Sequence, residues 1–190
     1  MRIIGGQRRG LRLADVGAGD AAAHLRPTSD RIRETIFNLL INGGYANPLI
    51  GARVLDLFAG TGAFGLEALS RGATRVTFVD DGATALGLIK RNVTLMDAAS
   101  ISRVLRQNAT RLPHNPDAPH EIAFLDPPYG KGLGETALKS CAAGNWLAPG
   151  ALVVWEEGAA PPLPSGFTQL DQRKYGDTVI TILRAPGLLA

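Results

Sequence analysis

Val54-Leu55-Asp56-Leu57-Phe58-Ala59-Gly60-Thr61-Gly62-Ala63-Phe64-Gly65 decides the fold of this chain. Val54 to Phe58 is an apolar run that stops at a glycine turn, the pattern of a strand buried on both faces. Ala63 to Ser70 then takes up helical spacing and closes at Gly72. Strand, glycine turn and helix in that order make the first half of a βαβ unit. The alternation continues downstream. Arg75 to Asp80 reads as a strand, Ala83 to Met96 as a helix, Ser102 to Gln107 as a weaker strand and Ile122 to Leu125 as a further strand. Glu135 to Ala142 is a helix and Leu152 to Trp155 a strand, while Phe167 to Tyr175 and Thr178 to Leu183, separated by Gly176-Asp177, form a hairpin. The expected fold is α/β: a doubly wound, mostly parallel sheet with an antiparallel edge. Ligands of such sheets bind beyond the carboxyl ends of the strands, where the strand order reverses.

Upstream of this series, Ile32, Ile36, Leu39 and Leu40 recur at helical spacing. A helix is expected from about Ser29 to Ile41, with Thr28 or Ser29 as its N-cap after Pro27, and Gly43-Gly44 ends it. Ala14 to His24, rich in Ala and Gly, reads as a loop between two short elements of an N-terminal extension. The chain divides accordingly into a basic extension with its helix, residues 1–45, and a sheet domain, residues 46–190. Arg2, Arg8, Arg9 and Arg12 fall in the first thirteen residues with no acid among them, and Arg26, Arg31 and Arg33 follow. Clustered arginine suits a phosphate-backbone partner, although a solvated basic end would look the same by charge alone. The single cysteine, Cys141, excludes a disulfide framework and a cysteine-based metal site, and reads as a small apolar residue. His24, His114 and His120 have no metal-ligand spacing and are expected on the surface or in loops, so no metal is expected. No apolar run approaches the roughly 20 residues of a membrane span, and no signal peptide opens the chain, so a cytoplasmic protein without membrane partner is expected.

Gly60, Gly62 and Gly65 satisfy the G-x-G-x-x-G spacing, which fits a dinucleotide site as readily as other nucleotide-like cofactors. Asp80 ends the next strand, where a carboxylate can accept from both hydroxyls of a ribose; Asp81 is its rival for that place. Two details favour S-adenosylmethionine (AdoMet) over a nicotinamide cofactor. Asp56, at the strand end, suits a cationic amino-acid end group and would repel a pyrophosphate. The chain is also too short for a separate substrate domain. A simpler role for Asp56, a cap on the following helix, stays open.

Asp126-Pro127-Pro128-Tyr129 closes the fourth strand. An amine conjugated to a nucleobase is a poor nucleophile because its lone pair is delocalised into the ring. A carboxylate accepting one N–H and a carbonyl accepting the other would orient that nitrogen and favour its pyramidal form. Asp126 offers the carboxylate and Pro127 a carbonyl held by the restricted proline backbone. Tyr129 offers a flat face for an extruded base, and such stacking contributes about 1–3 kcal/mol. After methyl transfer the nitrogen is strongly acidic, so even a carboxylate of ordinary pKa, about 3.9, can take its proton. A plain strand-ending turn would also use Pro-Pro, but its place in the same βαβ series as Asp56 weighs against that.

These residues resemble those of the class I methyltransferases. Arg26-Pro27-Thr28-Ser29-Asp30-Arg31-Ile32-Arg33-Glu34-Thr35-Ile36-Phe37-Asn38-Leu39-Leu40 narrows the match: it is similar to the signature of the bacterial small-subunit (16S) rRNA guanine-N2 methyltransferases. So are Arg2-Ile3-Ile4-Gly5-Gly6 with Arg8-Arg9-Gly10, and Lys174-Tyr175-Gly176-Asp177-Thr178. The similarity runs through essentially the whole chain in the right order. It implies a Rossmann-like sheet of seven strands with a small N-terminal extension, AdoMet as methyl donor, and transfer to the N2 amine of one guanine. The implied partner is 16S rRNA within a small ribosomal subunit or its assembly intermediate. By position, Asp56, Phe58, Gly60, Thr61, Gly62, Asp80 and Asn108 would bind AdoMet, and Asp126, Pro127, Pro128 and Tyr129 would hold the base. Arg8, Arg9, Arg26 and Arg31 would meet RNA. The chain departs from many relatives in carrying Asp80 where they carry Glu.

Three rival functions share parts of this pattern. An adenine-N6 DNA methyltransferase has the same tetrapeptide but generally needs a target-recognition domain, for which the chain has no room. An assembly factor that binds RNA without catalysis would not need Asp126. A nicotinamide oxidoreductase would bind NADH in place of AdoMet.

Overall fold

The computed structural model describes residues 1–15 and 29–187. Seven strands form one sheet: β1 (Arg53–Leu57), β2 (Arg75–Asp80), β3 (Ser102–Arg106), β4 (His120–Leu125), β5 (Leu147–Glu157), β6 (Thr168–Tyr175) and β7 (Thr178–Arg184). Their order across the sheet is β3-β2-β1-β4-β5-β7-β6. β1 pairs in parallel with β2 and with β4, and only β7 runs against its neighbours β5 and β6. The chain turns outward to β2 after β1 and returns on the other side to β4, so the order reverses at β1. The loops after β1 and β4 therefore diverge around a crevice.

Four helices cover the sheet: α1 (Asp30–Asn42), α2 (Ala63–Ser70), α3 (Ala83–Leu95) and α4 (Leu133–Ala143). Ser29 caps α1, its Oγ accepting from the Ile32 N–H at 3.2 Å. Alternation along each strand separates two cores. Val54, Val76, Phe78, Phe124 and Val154 face one side with Phe37 of α1 and Phe64 of α2. Leu55, Leu57, Val153 and Trp155 face the other with Leu138 and Cys141 of α4. Phe64 stacks on Phe124 with ring centroids 5.2 Å apart, and Phe37 lies 5.3 Å from Phe124, which locks α1 and α2 onto β4.

The first residues double back on themselves. The Ile3 N–H donates to the Leu11 carbonyl at 2.9 Å and the Gly10 N–H to the Ile3 carbonyl at 2.8 Å, while Ile3 and Leu13 enter the α1/α2 core. This arm is fixed to α2 through its main chain. Glu67, fully buried, accepts from the Ile4 and Gly5 N–H groups, both at 2.8 Å, and from Arg71 Nε at 2.7 Å. The Gln7 N–H donates to the Ser70 carbonyl at 2.7 Å and the Arg8 N–H to Ser70 Oγ at 2.9 Å. Gly6 must be glycine at this approach, because a Cβ there would lie 1.9 Å from the Ser70 carbonyl oxygen.

The expected helices and strands are all found, with ends shifted by no more than two residues except in β5, and three differences are instructive. β5 starts at Leu147 and extends to Glu157, because pairing with β4 resumes beyond an irregularity between His120 and Ile122 and the terminal acids are buried, not solvated. His120 is not a surface residue: it opens β4, buried, with Nδ1 2.9 Å from the Trp146 carbonyl and Nε2 3.0 Å from Thr77 Oγ1. Burial holds its imidazole below the ordinary histidine range. His114 is exposed as expected, and His24 lies outside the described residues. Arg33 does not join the outward arginines. It is fully buried, bonded to the Arg2 carbonyl and to Asp30 Oδ1, with Nε 3.8 Å from Glu67. Cys141, Trp146 and Trp155 are packing residues, all buried.

Candidate active site

The crevice is built from three strand ends. The loop leaving β1 is held in an unusual backbone shape: Phe58 and Gly60 both have φ of 56° and Gly62 has φ of 78°. A positive φ costs a non-glycine residue strain that its surroundings must hold, and Phe58 is packed against the Leu57 side of the core. Three contacts fix the loop, and a fourth orients the acid that holds it. Asp80 Oδ2 accepts from the Gly60 N–H at 2.9 Å, and its Oδ1 accepts from the Gly82 N–H at 2.9 Å. Asp56 Oδ2 accepts from the Gly65 N–H at 2.8 Å, within the first turn of α2. The fully buried Asn92 of α3 donates from Nδ2 to the Thr61 carbonyl at 2.9 Å. The Asn92 amide also accepts from the Ala14 N–H and donates to the Ala14 carbonyl, so the arm and the glycine loop share one side chain.

Asp56 thus serves as a helix cap whatever else it does. Burial drives its carboxyl well above the usual carboxylate range; the Gly65 N–H opposes this, and the charges of Asp126 and Asp80 add to it. Asp80 is also raised, chiefly by burial. Of the two adjacent acids Asp80 bonds the loop, whereas Asp81 is exposed. Asp126 and Asp80 both push the Asp56 carboxyl upward, so the three acids gather at neighbouring strand ends. A group of carboxyls of this kind suits a cationic ligand with a ribose and an ammonium, whose charge favours their ionised form, and does not suit a pyrophosphate.

Asn108 is exposed and turned on itself, its Oδ1 accepting from the Thr110 N–H at 2.9 Å and the Thr110 hydroxyl at 2.6 Å. Its loop nonetheless runs beside the second strand end, since the Gln107 N–H donates to the Asp80 carbonyl at 3.1 Å.

Asp126 leaves β4 half-buried, followed by a buried Pro127 and a half-buried Pro128. The Tyr129 hydroxyl donates to Glu156 Oε1 at 2.8 Å and lies 3.4 Å from Thr178 Oγ1. Burial raises the phenol well above its ordinary pKa, so it stays neutral; the Thr178 bond opposes that shift, and the charge of Glu156 reinforces it. The next residue, Gly130, donates its N–H to Glu157 Oε1 at 3.0 Å. Glu156, Glu157, Thr178 and Asn92 were not expected at the site. A pair of acids ending the apolar run Leu152 to Trp155 was the available signal, since that strand end lies beside the loop that follows β4.

Arg8, Arg9 and Arg31 are exposed; Arg26 lies outside the described residues. Among the described residues no helix is long and apolar enough to cross a membrane.

The chain matches the family described as Conserved hypothetical protein 95 over residues 1–184. It is 41% identical over 172 residues to the ribosomal RNA small subunit methyltransferase D of Escherichia coli K12, spanning 88% of this chain and 81% of that protein. The Haemophilus influenzae protein of the same name is 37% identical over 182 residues, spanning 93% and 89%. The solved structure of Escherichia coli yhhF superposes with a TM-score of 0.81 at 34% identity, covering 98% of both chains. With a single family matched along nearly its whole length, and the sheet order and strand-end loops of a class I methyltransferase, the chain belongs to the Conserved hypothetical protein 95 family and, with it, to the bacterial small-subunit rRNA methyltransferases that its sequence resembles.

Proposed function

We propose that this protein transfers a methyl group from AdoMet to the exocyclic N2 amine of a guanine in small-subunit (16S) rRNA, in the cytoplasm, on a small ribosomal subunit or its assembly intermediate. The observation that carries the reading is Asp126-Pro127-Pro128-Tyr129 at the end of β4, beside the glycine loop that ends β1. The names of the relatives supply the substrate class.

Asp56, Phe58, Gly60, Thr61, Gly62, Asp80 and Asn108 are proposed to hold AdoMet. Asp56 would attract the ammonium and Asp80 the ribose. The acids gathered at the strand ends support this, because a ligand that carries both an ammonium and a sulfonium favours their ionised form. When bound, AdoMet supplies a methyl carbon made electrophilic by its sulfonium. Everything else falls to the chain. Tyr129 stacks the extruded guanine. Asp126 accepts one N–H of the amine and the Pro127 carbonyl accepts the other, while Pro128 keeps that carbonyl in place. As the nitrogen forms its new bond to carbon it sheds a proton, which Asp126 receives. Positioning is the main source of rate. Residues 1–45 act as the RNA-facing extension through Arg8, Arg9, Arg26 and Arg31, and residues 46–190 as the catalytic domain.

Asp126→Ala is expected to leave AdoMet affinity nearly intact by calorimetry and to lower turnover about 10²-fold or more. Unchanged turnover would remove Asp126 from the mechanism. Nucleoside mass spectrometry of 16S rRNA, from cells with and without the protein, identifies the product. N2-methylguanosine is expected; N6-methyladenosine would replace the reading with the adenine one, and no difference would leave only RNA binding.

A further inference from the structure

Two acids at the end of β5 are buried where charge is costly. Glu156 is 5% exposed and Glu157 8%. Neither has a part in the chemistry above, yet both bond the loop that carries it. Glu156 Oε1 accepts the Tyr129 hydroxyl at 2.8 Å, and Thr178, which opens β7, stands 3.4 Å from the same hydroxyl. Glu157 Oε1 accepts from the Gly130 N–H and from the Gly158 N–H, both at 3.0 Å. The ring of Tyr129 also rests against a bare backbone: a Cβ at residue 158 would come within 2.8 Å of Tyr129 Cδ2. Tyr129 is thus gripped at its hydroxyl and at its side, and the peptide after it is anchored separately.

We propose that Glu156 and Glu157 are positioning residues for methyl transfer: they fix the Tyr129 ring and the Gly130 backbone so that base platform and Asp126 keep one relative placement before RNA arrives. The inference rests on the function proposed above. Its physical basis is that a tyrosine used for stacking can swing about its Cα–Cβ bond unless its far end is held, and its ring can turn unless its side is also packed. A carboxylate buried beside a phenol gives a short bond of fixed direction. The hydroxyl has the carboxylate as its acceptor, so the Thr178 hydroxyl is left to donate to Tyr129. The β5 strand end and the β5–β7 pairing, which sets Glu156 opposite Ile180 and Glu157 opposite Val179, are the rigid mount.

The test is steady-state kinetics on small ribosomal subunits lacking the methyl group, with Tyr129→Phe, Glu156→Ala, Glu156→Gln and the Tyr129→Phe/Glu156→Ala double variant. Glu156→Ala and Tyr129→Phe should each lower kcat about tenfold to a hundredfold, with AdoMet affinity and the KM for subunits little changed. The double variant should be no worse than either alone. Glu156→Gln, whose amide oxygen can accept the same bond, should recover most of the loss. Glu157→Ala should also lower kcat, and Glu157→Gln should restore it. Additive losses, a wild-type kcat in Glu156→Ala, or a Glu156→Gln as slow as Glu156→Ala would each overturn the proposal. A readout free of turnover accompanies these: in protein labelled with 3-fluorotyrosine, the Tyr129 fluorine resonance, assigned by its loss in Tyr129→Phe, should move or broaden in Glu156→Ala. An unmoved resonance overturns the contact itself. Wild-type protein that methylates no subunit fails the proposed function instead, and the fluorine spectrum then still decides whether Glu156 holds the ring.

Discussion

Burial holds the Asp56 carboxyl well above the usual carboxylate range, the Gly65 N–H pulls it back, and the charges of Asp126 and Asp80 push it up again. A protonated Asp56 attracts no cation, so a positively charged ligand bound beside it favours loss of that proton. By linkage, AdoMet affinity should rise with pH through the raised Asp56 value and level off above it. Calorimetric titration over a pH series rising from the ordinary carboxylate range measures this, and Asp56→Asn should flatten the dependence. An equally steep dependence in Asp56→Asn would mean that another group gives up the proton. At this scale the sequence showed residues whose chemistry is written in their type and place, such as Asp126 and Tyr129 after an apolar strand. It hid those defined by distant partners. His120 is buried because Thr77 and the Trp146 carbonyl meet its two ring nitrogens, and Arg33 because Glu67 and the Arg2 carbonyl lie around it. No local pattern announces such pairs.

Gly65 shows how an element is set on the sheet. It lies in the first turn of α2, where a Cβ would stand 2.4 Å from the Phe78 ring and 2.6 Å from Val76 Cγ1. The third glycine of the motif therefore permits close packing of α2 on β2, whereas the first two shape the loop. Alanine at this position would gain up to about 1 kcal/mol of helix propensity. Forcing a methyl into that contact costs about 1–3 kcal/mol. The packing cost dominates, so Gly65→Ala should lower the urea midpoint with an unchanged m-value. An unchanged or higher midpoint would show that α2 can lift off β2 at little cost. Elements with strong periodicity were legible, down to Ala63–Ser70 and Arg75–Asp80. β5 was not fully so, because its ends are polar and its early pairing with β4 is irregular.

Across the whole molecule, the exposed arginines sit on an arm that is packed into the core yet directs its charge outward. Arg8 and Arg9 are exposed. Replacing both with Ala should weaken binding to small subunits and reduce the slope of log affinity against log salt by about 1–2. An unaltered slope would place the RNA elsewhere. The α/β architecture followed from the alternation of apolar runs, but the strand order and the seating of the arm did not. That seat depends on Glu67 and Ser70, which look like ordinary helix residues until their main-chain partners are known. It also has a wider meaning. Because α2 grips peptide groups of Ile4, Gly5, Gln7 and Arg8 and asks for a bare backbone at Gly5 and Gly6, the seat makes no use of the Arg8 and Arg9 side chains. The arm behaves as an interchangeable fitting: its recognition surface can be rewritten over evolutionary time without loosening the bracket that carries it.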